Sequence, residues 1–211
     1  MNPLVEEYLG RKNSQRTPTA RDAREHLFAA VHEAGHWLAY SLHGVIVLSA
    51  EIYRQPKRTG GGEVRAVDLC DFFNQDDCAL VDCFVSLAGV AAECRVNPDK
   101  RQCKAQAAVD LTQAQGCLDK IHGRGTPEQV KVRTDIIAKV DRMVLDNWSR
   151  IEALAFELMS TGNIQHDQPE KIEKRYGIGN QALSVIRQAS AKKRLAKFHT
   201  SPSALVNACQ L

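Results

Sequence analysis

The chain has 211 residues, of which 44% are hydrophobic and 25% are charged, so its composition is that of a folded domain and excludes a disordered or fibrous chain. The formal net charge of +3 is too small to indicate a nucleic-acid partner. The most apolar run covers residues 78–94 and contains Asp82 and Glu93, so it predicts a buried core helix and no membrane span.

Hydrophobic periodicity predicts a mostly α-helical (α+β) fold with one small β-hairpin. Residues 1–18 are polar without a sustained period and are interpreted as a mobile N-terminal arm. A helix is expected over residues 20–43. The β-branched run 44–53 predicts a strand, and a turn rich in Gly at 54–62 leads to a return strand at 63–67.

Further helices are expected along the rest of the chain. The first of them, expected over residues 76–96, is apolar nearly all round and should be central. Its small residues would let another backbone approach closely. Thr126, followed by Pro127 and Gln129, is typical of a helix N-terminus. The expected helices cover residues 76–96, 101–121, 127–160 with a break near Asn147, 169–176 and 180–196.

Charge and cysteine usage add further expectations. Residues 177–211 contain five Lys or Arg and no Asp or Glu, which indicates either a solvated helix end or a surface for an acidic partner. The seven cysteines are odd in number and form no Cys-x-x-Cys pair, so free or buried thiols in a reducing, cytoplasmic compartment are expected. The chain divides into an arm (1–18), one domain (19–165) and a basic C-terminal extension (166–211).

Residues 32–36 read His-Glu-Ala-Gly-His, a pattern that chance would produce about 0.01 times in a chain of this composition. On a helix, His32 and His36 lie about 40° apart round the axis and about 6 Å apart along it, so both imidazoles can bind one zinc ion. Glu33 lies one step round the helix, where it can act as general base on a zinc-bound water. The alternative is two ordinary helix histidines that flank a glutamate.

A zinc ion needs a third protein ligand, and two carboxylates compete for that role. Asp110 lies within the apolar stripe of the helix expected at 101–121, where a carboxylate needs a positive partner. That partner is the metal or, in the alternative, a buried arginine, unless Asp110 caps a loop. Glu93 is either the rival ligand or a hydrogen-bond partner of a metal-bound histidine. We favour Asp110 as the ligand.

Three separated stretches resemble the zinc-peptidase domain of the FtsH-type ATP-dependent proteases. They read AAVHEAGHWLA (29–39), LAGVAAE (87–93) and VDLTQAQ (109–115), and the likeness extends over about residues 20–165. It implies a zincin-like helical peptidase domain at 19–165, with a small sheet beside the active-site helix.

Carried over by position, the resemblance implies His32, His36 and Asp110 as zinc ligands and Glu33 as the general base. The sequence departs from the family at Val109, where an Asn is usual before the ligand Asp. It also does not contain the family's membrane helices or its ATPase module.

The expected function is that of a zinc-dependent endopeptidase that hydrolyses peptides or unfolded protein segments. An extended substrate is expected to pair with the edge of the strand near residues 47–54. The resemblance also allows a homo-oligomer or an ATPase that acts in trans. Two alternatives stay open: a narrow-specificity zincin that cleaves a regulator, and a non-catalytic zinc-binding adaptor module.

Overall fold

The computed structural model describes residues 20–53, 61–71 and 73–178. Within these residues seven α-helices and three short strands form a mostly α-helical α+β fold, as the periodicity predicts. The helices are α1 (Ala20–Leu42), α2 (Gln75–Val96), α3 (Lys100–Gln106), α4 (Ala108–His122), α5 (Pro127–Asp146), α6 (Trp148–Thr161) and α7 (Pro169–Arg175). The strands are β1 (Val47–Ile52), β2 (Gly62–Ala66) and β3 (Asn163–Gln165), and a 3₁₀ turn covers Leu69–Asp71.

The strands form one antiparallel sheet in the order β2–β1–β3. The central strand is β1, because Ala50 pairs with Val64 of β2 on one side and with Ile164 of β3 on the other. Both sides of β1 are therefore already occupied. This corrects the expectation that a peptide could pair along the strand near 47–54, since the edges of this sheet are β2 and β3.

The core lies where α1 packs between α2 and α6, while α4 and α5 cover other sides of α2. Its fully buried side chains include Leu27 and Leu38 of α1 and Leu154 of α6. The axes of α1 and α2 approach closely at Gly35, where a Cβ atom would lie 2.7 Å from the carbonyl oxygen of Ala88. The small residues of α2 thus bring its backbone against the face of α1 that carries the histidines.

The apolar helix α2 is central, as expected. Val81, Cys83 and Ala88 are fully buried, because neighbouring elements pack on several sides of α2. Among the residues that the structure describes, no helix combines the length and the apolar character needed to cross a membrane.

The helix expected over residues 101–121 is in fact two helices. Ala107, with φ −87° and ψ 21°, separates α3 from α4. The bend lets Cys103 and Ala107 both pack on Val90 of α2 in a small cluster of their own. No Gly or Pro marks this position and the apolar spacing continues across it, so periodicity alone does not reveal the break.

The other boundaries agree with expectation to within a few residues. The break near Asn147 is confirmed, and Thr126 caps α5 by accepting a hydrogen bond from the N–H of Gln129. Strand β3 has no counterpart among the expected elements, because three residues carry no alternating pattern. The arm at 1–18, the turn residues 54–60 and the helix expected over 180–196 lie outside the described residues.

The expectation of free thiols is wrong for one pair of cysteines. Cys94 at the end of α2 and Cys103 on α3 form a disulfide. A separation of nine residues gives no signal in the sequence, and the turn that reverses the chain between α2 and α3 brings the two side chains together. Free thiols are found at Cys70, Cys78, Cys83 and Cys117, and Cys209 lies outside the described residues.

The beginning of the predicted C-terminal extension packs on the domain. Ile172 of α7 is fully buried in the same core as α1 and α2. Next to it, the buried carboxylate of Glu173 accepts hydrogen bonds from the guanidinium of Arg150 on α6 at 2.8 Å. Residues 169–175 are therefore joined to the domain by apolar and ionic contacts.

Candidate metal centre

The two histidines of the motif project from α1 toward α2 and α4. Their ring centroids lie 4.6 Å apart at an interplanar angle of 80°. Helical spacing of four residues accounts for this proximity. Both side chains are close to fully buried, with 12% of His32 and 11% of His36 exposed.

Asp110 approaches the same two rings from the first turn of α4. Its carboxylate lies 3.1 Å from Nε2 of His32 and 3.6 Å from Nε2 of His36. One ligand atom from each of the three side chains lies within 4.8 Å of the others. Asp110 is thus brought to the histidines, and within the described part of the chain no arginine lines their cleft.

The Nδ1 atom of each histidine ring has a hydrogen-bond partner on α2. Nδ1 of His32 lies 3.0 Å from Oε2 of Glu93, and Nδ1 of His36 lies 2.8 Å from the carbonyl oxygen of Val85. Both partners lie on α2. They leave the two Nε2 atoms directed at Asp110, which is the orientation that outer hydrogen bonds impose on metal-binding histidines. Glu93 lies on the far side of His32 from Asp110.

A glycine on α2 makes room for the imidazoles. A Cβ atom at Gly89 would lie 2.5 Å from Nε2 of His36 and 2.9 Å from Nε2 of His32. The small-residue segment of α2 predicts a close approach of helices, which occurs at Gly35 and Ala88. The sequence does not show that Gly89 serves the histidine rings instead.

Glu33 faces β2 from the same helix. A Cβ atom at Gly62 would lie 2.5 Å from Cγ of Glu33, so the carboxylate lies directly against the backbone of this strand. Burial raises the pKa of Glu33 to about 7, against the opposing influence of His32. A carboxylate with a pKa near neutrality is suited to accept and return a proton.

The charges of the cluster favour a cation. Burial lowers the pKa of His32, but hydrogen bonds with Asp110 and Glu93 outweigh it and raise the pKa to about 10. Burial and the neighbouring charge of His32 lower the pKa of His36 to about 4. Burial raises the pKa of Asp110, but the two histidines reverse this effect and lower it. One positive charge is therefore stabilised between two carboxylates.

These side chains line a cleft of about 400 Å³. Among the described residues that line it, four are acidic and none is Lys or Arg. Residues 61–64 of the loop end and β2 form one wall, and Val109, which is 77% exposed, forms part of the rim. An extended chain lying along β2 would therefore pass beside the cluster.

The residues present fit a zinc ion. Two imidazole nitrogens and one carboxylate oxygen are a common protein donor set for zinc in hydrolases, and they leave a further position open. Gly89 leaves space beside the two Nε2 atoms, and Glu93 and Val85 fix the ring orientation. The acidic surroundings supply the negative charge that a divalent ion requires.

Comparison with known proteins identifies no relative of this chain. No protein-family model matches the chain, and no curated protein matches it significantly. Function is therefore inferred from the side chains of the centre.

Proposed function

We propose that the protein is a zinc metallopeptidase that hydrolyses peptides or unfolded protein segments. The observation that carries the proposal is the convergence of His32, His36 and Asp110 on one point, with Glu33 beside them on the same helix. The three residues that would hold the ion come from two helices that are distant in sequence. Burying such a polar cluster costs desolvation free energy, and apolar side chains of the same volume would stabilise the fold at least as well. The cluster is therefore better explained by function than by stability.

Each residue has a separate role in the proposed reaction. His32, His36 and Asp110 would hold the ion, which when bound would polarise the scissile carbonyl and the attacking water as a Lewis acid. Glu33 accepts a proton from that water and delivers it to the leaving amine. Glu93 keeps His32 in place through Nδ1.

The substrate is proposed to bind as an extended strand beside β2. In the described part of the chain β2 pairs only with β1, and its residues Gly62, Glu63 and Val64 line the cleft. Main-chain hydrogen bonds to an exposed strand edge are a common way to hold an extended peptide. Compact folded proteins cannot present such a segment, which favours loose or unfolded substrates.

The order of these residues supports assignment to the FtsH-type zinc peptidases as part of the same proposal. The histidines and Glu33 come first, Glu93 follows on a helix rich in small residues, and Asp110 comes on a later helix. The four free thiols among the described cysteines favour a reducing, cytoplasmic compartment, whereas the Cys94–Cys103 disulfide favours an oxidising one.

Replacement of the general base tests the proposal. We expect Glu33→Gln to lower kcat/KM on casein or a peptide library about 10²-fold or more, because proton transfer is lost. Zinc content should stay at the wild-type value, because Glu33 is not one of the ligands. The measurements are proteolysis by mass spectrometry and metal analysis of the same protein samples.

Glu25→Gln is the matched control, since Glu25 is also buried on α1 but pairs with Arg21 away from the cleft. It should retain full activity. If zinc-loaded wild-type protein cleaves no substrate, and Glu33→Gln is indistinguishable from it, the protein is a zinc-binding adaptor and the peptidase proposal fails.

A further inference from the structure

The turn that joins α2 to α3 lies directly behind the candidate metal centre. Cys94 follows Glu93 in the chain and is bonded to Cys103 of α3. Asn97 ends α2 and is only 1% exposed. Neither the disulfide nor Asn97 takes part in the reaction proposed above, yet each contacts an element that holds a side chain of the centre.

Asn97 acts on Glu93. Its Nδ2 donates to Oε1 of Glu93 at 3.2 Å, while Oε2 of the same carboxylate lies 3.0 Å from Nδ1 of His32. Both carboxylate oxygens are thus engaged, and rotation of the carboxylate would break one of the two contacts. Oδ1 of Asn97 accepts from the N–H of Asp99, which starts the turn into α3.

The disulfide acts on the other side of His32, through α3 and α4. Cys103 is fully buried with Val90 and Ala107 in a cluster separate from the main core, and Leu111 packs against this cluster. In α4, the residues that pack in the main core begin at Ala114. The first turn of α4, which carries Asp110, is therefore held by this small cluster, by the disulfide at its side and by the contact of Asp110 with His32.

We propose that Asn97 and the Cys94–Cys103 disulfide are positioning elements of the metal centre, and that reduction of the disulfide weakens zinc binding. The inference rests on the proposed zinc site and extends it to regulation. Asn97 holds Glu93 on one side of His32, and the disulfide holds the start of α4 with Asp110 on the other. Opening the disulfide frees the first turn of α4. Zinc binding must then order Asp110 again, and the entropy lost in doing so weakens the zinc affinity.

The chemical step is thiol–disulfide exchange with a dithiol reductant. A thiolate of the reductant attacks one sulfur, and the mixed disulfide is then resolved by the second thiol of the reductant. Cys94 and Cys103 gain two electrons and two protons and become thiols. The reductant loses the same two electrons and two protons and becomes a disulfide.

The first arm of the test compares zinc affinity with the disulfide closed and absent. Zinc dissociation constants are measured by competition with a chromophoric chelator for wild-type protein and for Cys94→Ala/Cys103→Ala. We expect the dissociation constant to rise about tenfold or more in the double variant, as for other outer contacts of zinc ligands. Cys83→Ala is the control, because it removes a fully buried free thiol of α2 and leaves the disulfide intact.

Chemical reduction of the wild-type protein provides a second route to the same state. Two thiols beyond those already free should be titrated after treatment with a dithiol and its anaerobic removal. Zinc affinity should then fall to the value of the double variant, and it should recover on reoxidation. If the double variant does not fold, the zinc affinity of the reduced wild-type protein decides the question. If it folds, agreement between the two affinities excludes zinc binding by the released thiols.

The second arm isolates Asn97. Asn97→Asp keeps the Oδ1 acceptor for Asp99 but replaces the donor to Glu93 with a second carboxylate. We expect weaker zinc binding and an altered visible absorption spectrum of the cobalt-substituted protein. Asp99→Asn, a neighbouring change of the same size that preserves the cap of α3 through its side-chain oxygen, should change neither.

The outcomes separate this inference from the proposed function. If wild-type protein binds zinc and Asn97→Asp, the double variant and the reduced protein bind it equally well, the positioning role is refuted while the zinc site stands. The same holds if the variants lose only thermal stability. If wild-type protein binds no zinc at all, both the inference and the zinc site are refuted.

Discussion

Gly89 lies on α2 beside the two imidazoles, where a Cβ atom would come within 2.5 Å of His36 and 2.9 Å of His32. The added carbon would be fixed to a buried helix, so the rings would have to move. The ring nitrogens concerned are the two Nε2 atoms that face Asp110. A single methyl group thus has the size and position needed to disrupt the donor set.

We expect Gly89→Ala to lose most of its zinc, because the rings can no longer present both Nε2 atoms to one ion. Metal analysis after dialysis against buffered zinc is the measurement. Gly116→Ala on α4 is the matched control, since a Cβ atom there meets nothing within 4 Å. The control should keep its zinc and gain a few tenths to about 1 kcal/mol of stability from helix propensity. Full zinc occupancy of Gly89→Ala would refute this account of the site.

Gly62 offers a way to separate metal binding from proton transfer. A Cβ atom there would lie 2.5 Å from Cγ of Glu33 and 2.6 Å from the carbonyl oxygen of Glu51. We therefore expect Gly62→Ala to displace Glu33 and lower kcat/KM about 10²-fold while zinc content is kept. Peptide hydrolysis and metal analysis on one preparation test this, and equal losses of zinc and activity would contradict it.

At the residue scale, the sequence indicates candidate site residues where the proposed chemistry requires a rare local pattern. His32, Glu33 and His36 are identifiable because their spacing is fixed by a single helix. Asp110 stands out as a carboxylate on an apolar stripe. Gly62, Gly89 and Asn97 have no such signal, because their roles depend on which atoms other elements bring to them.

At the scale of elements, long helices with a clear apolar stripe are predictable because each buries one face. The division between α3 and α4 is not predictable in this way, because the stripe through Cys103, Ala107 and Leu111 continues across the bend. Strand β3 is also missed, since it is three residues long and is defined by pairing with β1. Both misses concern elements whose form is set by a neighbour.

The contact between α6 and α7 shows how the start of the C-terminal extension is attached to the domain, and it can be tested by substitution. Glu173 and Arg150 form a buried pair, with 3% and 7% of their side chains exposed. We expect Glu173→Ala to lower the free energy of unfolding by about 3–5 kcal/mol, because it leaves a buried guanidinium without its partner. Urea denaturation measures the change.

Asp167→Ala is the control for that measurement. Asp167 forms an ion pair of 2.7 Å with Lys171, but both side chains are largely exposed. Water and salt screen such a pair, so the urea midpoint should hardly move. If the two substitutions have equal effects, α7 is not anchored by its buried ion pair.

At the scale of the whole molecule, a bound ion would act as a link between α1 and α4, which carry His32 and Asp110 at a separation of 78 residues. Because these candidate ligands meet only in the folded chain, zinc binding would be coupled to folding. The sequence indicates the fold class and the candidate ligands, but the cleft and its wall at β2 arise only when sheet and helices pack together.

Metal removal should therefore lower thermal stability. At zinc concentrations of about 100 times the dissociation constant, binding adds about 2.7 kcal/mol to the folded state. For a domain of this size the melting temperature should rise by roughly 5–11 °C and return on chelation. Differential scanning calorimetry tests this, with Asp110→Ala as a variant whose melting temperature should respond far less. An unchanged wild-type value would contradict a zinc site of this affinity.

The separation of 78 residues between His32 and Asp110 also has a consequence during synthesis. The helix with the two imidazoles leaves the ribosome well before the carboxylate that completes the set. At that stage a nascent chain would carry the proposed base and two candidate ligands without the third. On the proposed function, the centre would become able to hydrolyse peptides only after α4 has emerged and packed against α1 and α2. By then the surrounding chain would be folded and would no longer be an unfolded substrate.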